Sequence, residues 1–406
     1  MAELEMARLQ EEKAAEEVRR AAAQAPWVIL VCVPHVVHEE GDFPPGRELR
    51  LSLADPPLAS RLTVPLRIAP DCKTAENYPY LAAAGPHGRL LLYATQGPDP
   101  EPPALDAFYS RPLGVHHGFD KAYFVLDAYT RRAYRLPDPD DDNYYDTTLA
   151  ILHPGNVGLL SYSTCYYVAE LQPAPAAGTA TLLLYSSLHD MWDDKDLIYP
   201  LGDRPWGSNG VVTYQGMLWW VDLSYGLLSC DVVYGLPPLL HFVPLPEGCE
   251  LPAGTPDLEK IRCVGVGAAR LRYVQIEKRD GDHVVTMWTL IDEQVGTWHL
   301  DCEASFKAIW DDEGYKETKL PREVPTVALI HPAHTGDVVY FFLHSRLFAV
   351  DLQTCRVLEW RFFAMLQPPM AYHSSQFVRA WWTPPTLYWD SGMFSHVAML
   401  VRNLGY

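Results

Sequence analysis

A few stretches of this chain bring together residues of the kinds that do chemistry. "HPAHTGD" sets His331 and His334 three residues apart. A zinc-peptidase helix needs its histidines four apart with a glutamate beside the first, so that both imidazoles share one face. Here proline and glycine interrupt the stretch, and no glutamate stands beside either histidine. The pairs His35 with His38 and His116 with His117 are equally isolated in sequence. "PDPDDDNYYD" places Asp138, Asp140 and Asp142 at alternate positions, as an EF-hand loop does. Its sixth position is Asn143, where the sharp turn needs glycine, and its twelfth is Leu149, where a bidentate glutamate should close the calcium shell. That loop reads as solvated acid.

The remaining motifs fail on equally specific grounds. "GVGAAR" from Gly265 begins like a dinucleotide fingerprint, yet ends in Arg270 and runs into a strand. No helix N-terminus follows to cradle a phosphate. "WGSNG" around Ser208 lacks the spacing of a nucleophile elbow, which needs a glycine two residues to either side: Gly210 follows, but Trp206 stands at the preceding position. Asp193 with Asp194, and Asp311 with Asp312, are adjacent carboxylates in polar stretches. Without burial, adjacency does not raise a carboxylate into the range of a general acid. Trp219, Trp220, Trp381 and Trp382 could line a carbohydrate platform, but in a strand-rich chain such residues read as core. The sequence therefore offers no catalytic residue, cofactor site or metal site, and the chain reads as non-enzymatic.

The elements that would position any site are strands. Residues 1–26 are rich in Ala, Glu and Arg without Gly, and predict a charged leader helix with too sparse an apolar stripe for a coiled coil. From Trp27 onward, 35 prolines chain-wide and short runs such as "WVILVCV", "KAYFVLDA", "HVVTMWTL" and "VVYFFL" predict strands and turns. One device recurs: Asp127, Asp222, Asp292 and Asp351 each end an apolar run, and a short turn follows before the next run. An Asp carboxylate can accept a backbone N–H two residues on, closing an Asx-turn between paired strands. The gaps between these aspartates are 95, 70 and 59 residues, and the first has room for an extra unit near 155–200. The fold class expected is all-β, a propeller-like array of antiparallel blades after an N-terminal helix, with stacked β-sandwiches as the alternative. The organisation expected is a leader at 1–26, one half of the body at 27–204 and the other at 205–406. "HDMWDDKD" from His189 and "IWDDEGYKETKLPREVP" from Ile309 read as polar loop insertions.

Composition narrows the partners. With 51 acidic and 32 basic side chains the net charge is −19, which repels a phosphate backbone, and no Lys/Arg-rich run offers a local exception. Nucleic acid is excluded as a partner on that ground. No run approaches the apolar length of a membrane span, and the N-terminus lacks the apolar core of a signal peptide. The eight cysteines include no Cys-x-x-Cys pair. These features together place the chain in a reducing intracellular compartment, cytoplasmic or nuclear, as a monomer.

The strand map carries a resemblance. "WVILVCVPHVV", "LSLADPPLASRLTV", "YLAAAGPHGRLLLYA" and "KAYFVLDAYTRRAYRLP", then most densely "GMLWWVDLSYGLLSCDVV" and "LRYVQIEKRDGDHVVTMWTLIDEQVGTWHLD", resemble the plant family, expanded in grasses, called domain of unknown function 1618. The resemblance runs from Trp27 to about Arg361 and implies a β-rich, propeller-like body similar to the domains associated with plant F-box proteins. An F-box itself is not visible in residues 1–40, and the family supplies no catalytic residues to carry over. The function expected is a protein-interaction scaffold presenting rim loops, foremost Asp138, Asp140, Asp141, Asp142, Tyr144 and Tyr145. A glycan- or small-molecule-binding protein or enzyme with a central pocket is the alternative.

Overall fold

The computed structural model describes residues 27–37, 43, 46–72, 77–97, 120–137, 154–235, 237–333, 336–363, 377–384 and 387. The leader at 1–26 and the rim residues Asp138, Asp140, Asp141, Asp142, Tyr144 and Tyr145 lie outside them, as do His38, His116, His117 and His334.

Short apolar runs rich in Val, Leu and aromatics form antiparallel meanders, the arrangement that two-to-six-residue turns favour. After β1 (Trp27–Val31), β2 (His35–Val37), β3 (Arg50–Ser52) and β4 (Ala59–Pro65), the first blade is β5 (Tyr80–Ala84), β6 (Arg89–Gly97), β7 (Asp120–Asp127) and β8 (Arg132–Arg135). The second is β9 (Val157–Ser161), β10 (Tyr166–Ala174), β11 (Thr179–Ser186) and β12 (Met191–Ile198). The third is β13 (Val211–Tyr214), β14 (Met217–Asp222), β15 (Gly226–Cys230) and β16 (His241–Pro244). The fourth is β17 (Arg262–Gly267), β18 (Arg270–Arg279), β19 (Asp282–Asp292) and β20 (Thr297–Ser305). The fifth is β21 (Thr326–Ile330), β22 (Val338–Leu343), β23 (Arg346–Asp351) and β24 (Arg356–Phe362). Finally β25 (Val378–Trp382) pairs antiparallel with β1, so the first four strands and the last share one mixed sheet.

The protein is an all-β, five-blade propeller arrangement, and the mixed sheet completes the ring. Hydrophobic packing shows the closure directly. One buried cluster lies between the mixed sheet and the first blade, and one between each successive pair of blades. A last cluster joins Leu329 and Tyr340 of the fifth blade to Ile29 and Val378 of the mixed sheet. Middle strands are therefore apolar on both faces, as in any sheet covered twice. Trp219 and Trp220 illustrate the pleat: Trp220 packs with Leu160 and Leu171 of the second blade, whereas Trp219 packs with Tyr273 and Leu290 of the fourth. Indole N–H groups staple blade to blade. Trp192 donates to Pro137 O at 2.7 Å, Trp220 to Asn156 O at 2.7 Å, Trp298 to Pro244 O at 2.8 Å, and Trp381 to Gly85 O at 2.9 Å. Trp219, Trp220 and Trp381 are thus spent on the core and the blade contacts, not on a platform.

Two stretches differ from the sequence reading. Met191–Ile198 is a strand, not a loop: as the outermost strand of its blade it has one neighbour, so acids can point to solvent at an edge. The stretch from Ile309 holds parts of two short helices, Phe306–Asp311 and Glu313–Thr318. The first begins where Ser305 Oγ accepts the Lys307 N–H at 3.1 Å, an N-cap.

Candidate functional site: the loop cluster around Asp222

In each regular blade the inner strand begins at one face of the ring. Antiparallel order puts the second-to-third-strand turn and the connection to the next blade at that same face, here called the loop face. The other two turns lie at the opposite, turn face. Asp222 ends β14 and so belongs to the loop face. Its carboxylate is 1% exposed and accepts three hydrogen bonds. Oδ1 takes the Ser224 backbone N–H at 2.8 Å and its hydroxyl at 2.6 Å; Oδ2 takes the Gly207 N–H at 3.0 Å. A buried carboxylate is tolerable only with such donors. Gly207 comes so close that an added Cβ would stand 2.8 Å from Oδ1.

From that centre the contacts spread across three connections. Arg204 Nη2 donates to Ser224 Oγ at 3.0 Å and to Leu251 O at 2.9 Å. Its guanidinium lies 4.0 Å over the Tyr225 ring, which stacks on Phe242. Asn209 Oδ1 accepts the Leu223 N–H at 2.9 Å, and Arg262 Nη1 donates to Leu223 O at 2.7 Å. The segments 199–210, 222–226 and 245–261 are thereby fastened into one platform. Its rim is acidic: Asp203, Glu247, Glu250 and Asp257 are exposed, and Lys260 is engaged with Asp257 at 2.8 Å.

The other strand-end aspartates stand at the turn face, between third and fourth strands. Asp127 Oδ1 accepts the N–H groups of Tyr129 and Thr130, and Asp292 Oδ1 those of Gln294 and Val295. Asp351 Oδ1 accepts the Gln353 N–H at 3.0 Å. The third blade has its own member at this position, Asp231, which accepts from Val233 and Tyr234. Sequence reading grouped Asp222 with Asp127, Asp292 and Asp351 and passed over Asp231. The available signal was register: Asp231, like Asp127, follows the third apolar run of its unit. Also at the turn face, Arg272 and Asp337 pair at 3.1 Å while Gln353 donates to Asp337 Oδ2 at 2.7 Å, tying the fourth blade to the fifth.

Chemically the platform is quiet. The cleft between Asn209, Val211, Glu259, Arg262, Cys263 and Ala328 has room for about one water and not for a sugar ring. Burial pushes the Cys263 and Cys230 thiols up to about 12 and Cys32 up to about 11. Such thiols are protonated at neutral pH and are not nucleophiles. Burial, and then the Asp222 charge, push the Tyr199 hydroxyl up to about 12. All eight cysteines are free thiols. Among the described residues no three His, Cys, Asp or Glu side chains are placed to hold a metal ion, and no helix is long and apolar enough to cross a membrane.

No curated protein matches the chain in sequence. Solved structures resemble it distantly. AztD from Citrobacter koseri shares 10% identity over 72% of each chain, with a TM-score of 0.30. Zg3597, a family 117 glycoside hydrolase from Zobellia galactanivorans, shares 10% over 78% of this chain and 84% of its own, at 0.33. The α-L-arabinofuranosidase PaAbf62A from Podospora anserina, in complex with cellotriose, shares 11% over 88% and 96%, at 0.28. Overlaps so low carry nothing about this chain's activity. Residues 220–340, from the Asp222 hairpin to Tyr340 of β22, match the family described as protein of unknown function (DUF1618).

Proposed function

We propose that the protein is a non-enzymatic interaction scaffold whose loop face docks a basic surface of a protein partner. The observation that supports this most is the Asp222 platform. Three connections are fixed to one another by buried side-chain contacts, while their outer edge presents Asp203, Glu247, Glu250 and Asp257 to solvent. Rigid loops lose little entropy on docking, and one sign of charge on a rim speeds encounter with the opposite sign. Function on such folds lies in the loops a scaffold holds out. β8 ends and β9 begins at this same face, so the rim loop expected from the sequence is joined to it at both ends.

The test is affinity purification of the full chain against two variants. One is Glu247→Lys with Glu250→Lys; the other replaces residues 137–146 by a short turn. The expected result is a partner recovered with the native chain and lost with the double reversal, at an unchanged thermal midpoint. Loss with the loop replacement as well extends the docking surface to that loop. Equal recovery by all three chains would overturn the proposal.

A further inference from the structure

The five blades finish on outer strands whose free edges are protected to different degrees. β8 and β16 are four residues long, and β16 ends in Pro244, whose carbonyl accepts the Trp298 indole N–H of the next blade at 2.8 Å. β20 and β24 pair with register shifts, which bend an edge away from an incoming strand. Gln353 of the fifth blade also reaches Asp301 O of β20 at 3.2 Å, and Asp312 Oδ2 takes the Val357 N–H of β24 at 3.0 Å. β12 is eight residues long and carries no proline. It pairs with β11 in unbroken register, from Met191 opposite Ser186 to Ile198 opposite Thr179. A strand paired on one side points alternate N–H and C=O groups outward, and among the described residues none takes those of β12.

Side chains decide what can add at that edge. Leu197 packs toward the third blade and Trp192 toward the first. Alternation then sets Met191, Asp193 and Lys195 on the face of Leu197, and Asp194, Asp196 and Ile198 on the face of Trp192. Lys195 Nζ stands 3.5 Å from Asp193 Oδ2, so charge on the first of these faces is balanced from within. On the second, Asp194 and Asp196 are exposed, and Ile198 beside them is 80% exposed. Two like charges at alternate positions repel a second copy of this edge and attract a strand of opposite sign.

We propose that β12 is an acceptor edge for one extended, basic segment of a partner protein, which adds antiparallel as a fifth strand of the second blade. The segment carries an apolar residue opposite Ile198 and Lys or Arg opposite Asp196 and Asp194, an apolar-x-basic-x-basic pattern. Main-chain hydrogen bonds supply the affinity, and the two charge pairs supply the selection. Antiparallel addition continues the pairing of the blade's three ladders. The edge lies on the outer wall of the ring, and the proposal does not rest on the acidic rim of the loop face.

The test is fluorescence anisotropy of the full chain with a labelled synthetic peptide of sequence TVTRTRT, followed by hydrogen exchange of the complex. Saturable binding is expected, with new protection in 191–198 and none in 247–260. Asp194→Lys with Asp196→Lys should weaken binding by about 10-fold or more, because two cross-strand attractions become repulsions. Both aspartates are exposed, so the thermal midpoint should not move; if this variant fails to fold, Asp194→Asn with Asp196→Asn is read in its place. The scrambled peptide TRRTTTV puts its arginines on opposite faces and should bind several-fold more weakly. No saturable binding, equal binding of both peptides, binding unchanged by the reversal, or protection elsewhere would overturn the proposal. Protection of 191–198 that rises with protein concentration in the absence of peptide would do so too, since a second copy would then hold the edge. The double reversal at Glu247 and Glu250 should leave peptide binding intact, so failure here and failure of the docking surface are told apart.

Discussion

Asp222 and Asp127 are the same residue type at the end of the same kind of strand, and their surroundings give them different work. Asp127 closes its own turn at the surface. Asp222 is buried and holds donors from two connections. Asp222→Ala leaves the Gly207 and Ser224 N–H groups unsatisfied and should cost about 2–4 kcal/mol in denaturant unfolding. Asp127→Ala should cost less than half as much, and equal costs would contradict the distinction. The thiols allow a second check at this scale. Cys32, Cys230 and Cys263 have folded values raised by burial from 9 to about 11, 12 and 12. A raised value means that the folded state keeps its protons longer than the unfolded chain. The stability they contribute is complete below pH 9 and is lost as pH climbs from 9 toward 12. Alkylation followed by mass spectrometry should label the half-buried Cys72, Cys165 and Cys355 first, and the buried Cys32, Cys230 and Cys263 only on denaturation. The Asx device was legible from residue types, since Asp before a turn has few other uses. Burial of Asp222 was not, because it depends on Gly207, fifteen positions earlier in sequence.

At the scale of elements, glycines inside strands differ in how closely neighbouring atoms approach them. An alanine Cβ at Gly226 would stand 2.5 Å from Val243 O, whereas at Gly265 its nearest neighbour would be Ile330 Cδ1 at 3.6 Å. Gly226→Ala should therefore lower stability by about 1–3 kcal/mol, and Gly265→Ala should be close to neutral. Thermal unfolding of the two variants checks the contrast, and a similar loss in both would contradict it. Strands that sit inside a blade were readable because both faces are covered and their sequences are nearly continuous apolar runs, as in "MLWWVD". Outer strands were not. β12 is exposed along most of its length, so "MWDDKDLI" carries the acids of a loop on the backbone of a strand. The helices between β20 and β21 were missed for a related reason. Each is only six residues long, too short for a repeating apolar face, and Asp312 Oδ2 secures their junction by accepting the Val357 N–H of β24 at 3.0 Å.

At the scale of the whole molecule, one repeat pattern encoded the blades, but ring closure has no local signature. It rests on β1 and β25, more than 340 residues apart, and on Trp381, whose indole crosses to Gly85. Trp381 is fully buried at that seam, so Trp381→Ala should cost about 3–5 kcal/mol and lower the unfolding midpoint of the entire ring. A separate, early unfolding step confined to the mixed sheet would instead mean that closure adds little. The ring matters to function because it gives the loop face a fixed geometry. Hydrogen exchange of the full chain, with and without the recovered partner, tests that claim most directly. The account expects new protection in 203–209 and 247–260 and none in the turns after Asp127, Asp231, Asp292 and Asp351. Protection concentrated in those turns, or none at either face, would contradict it.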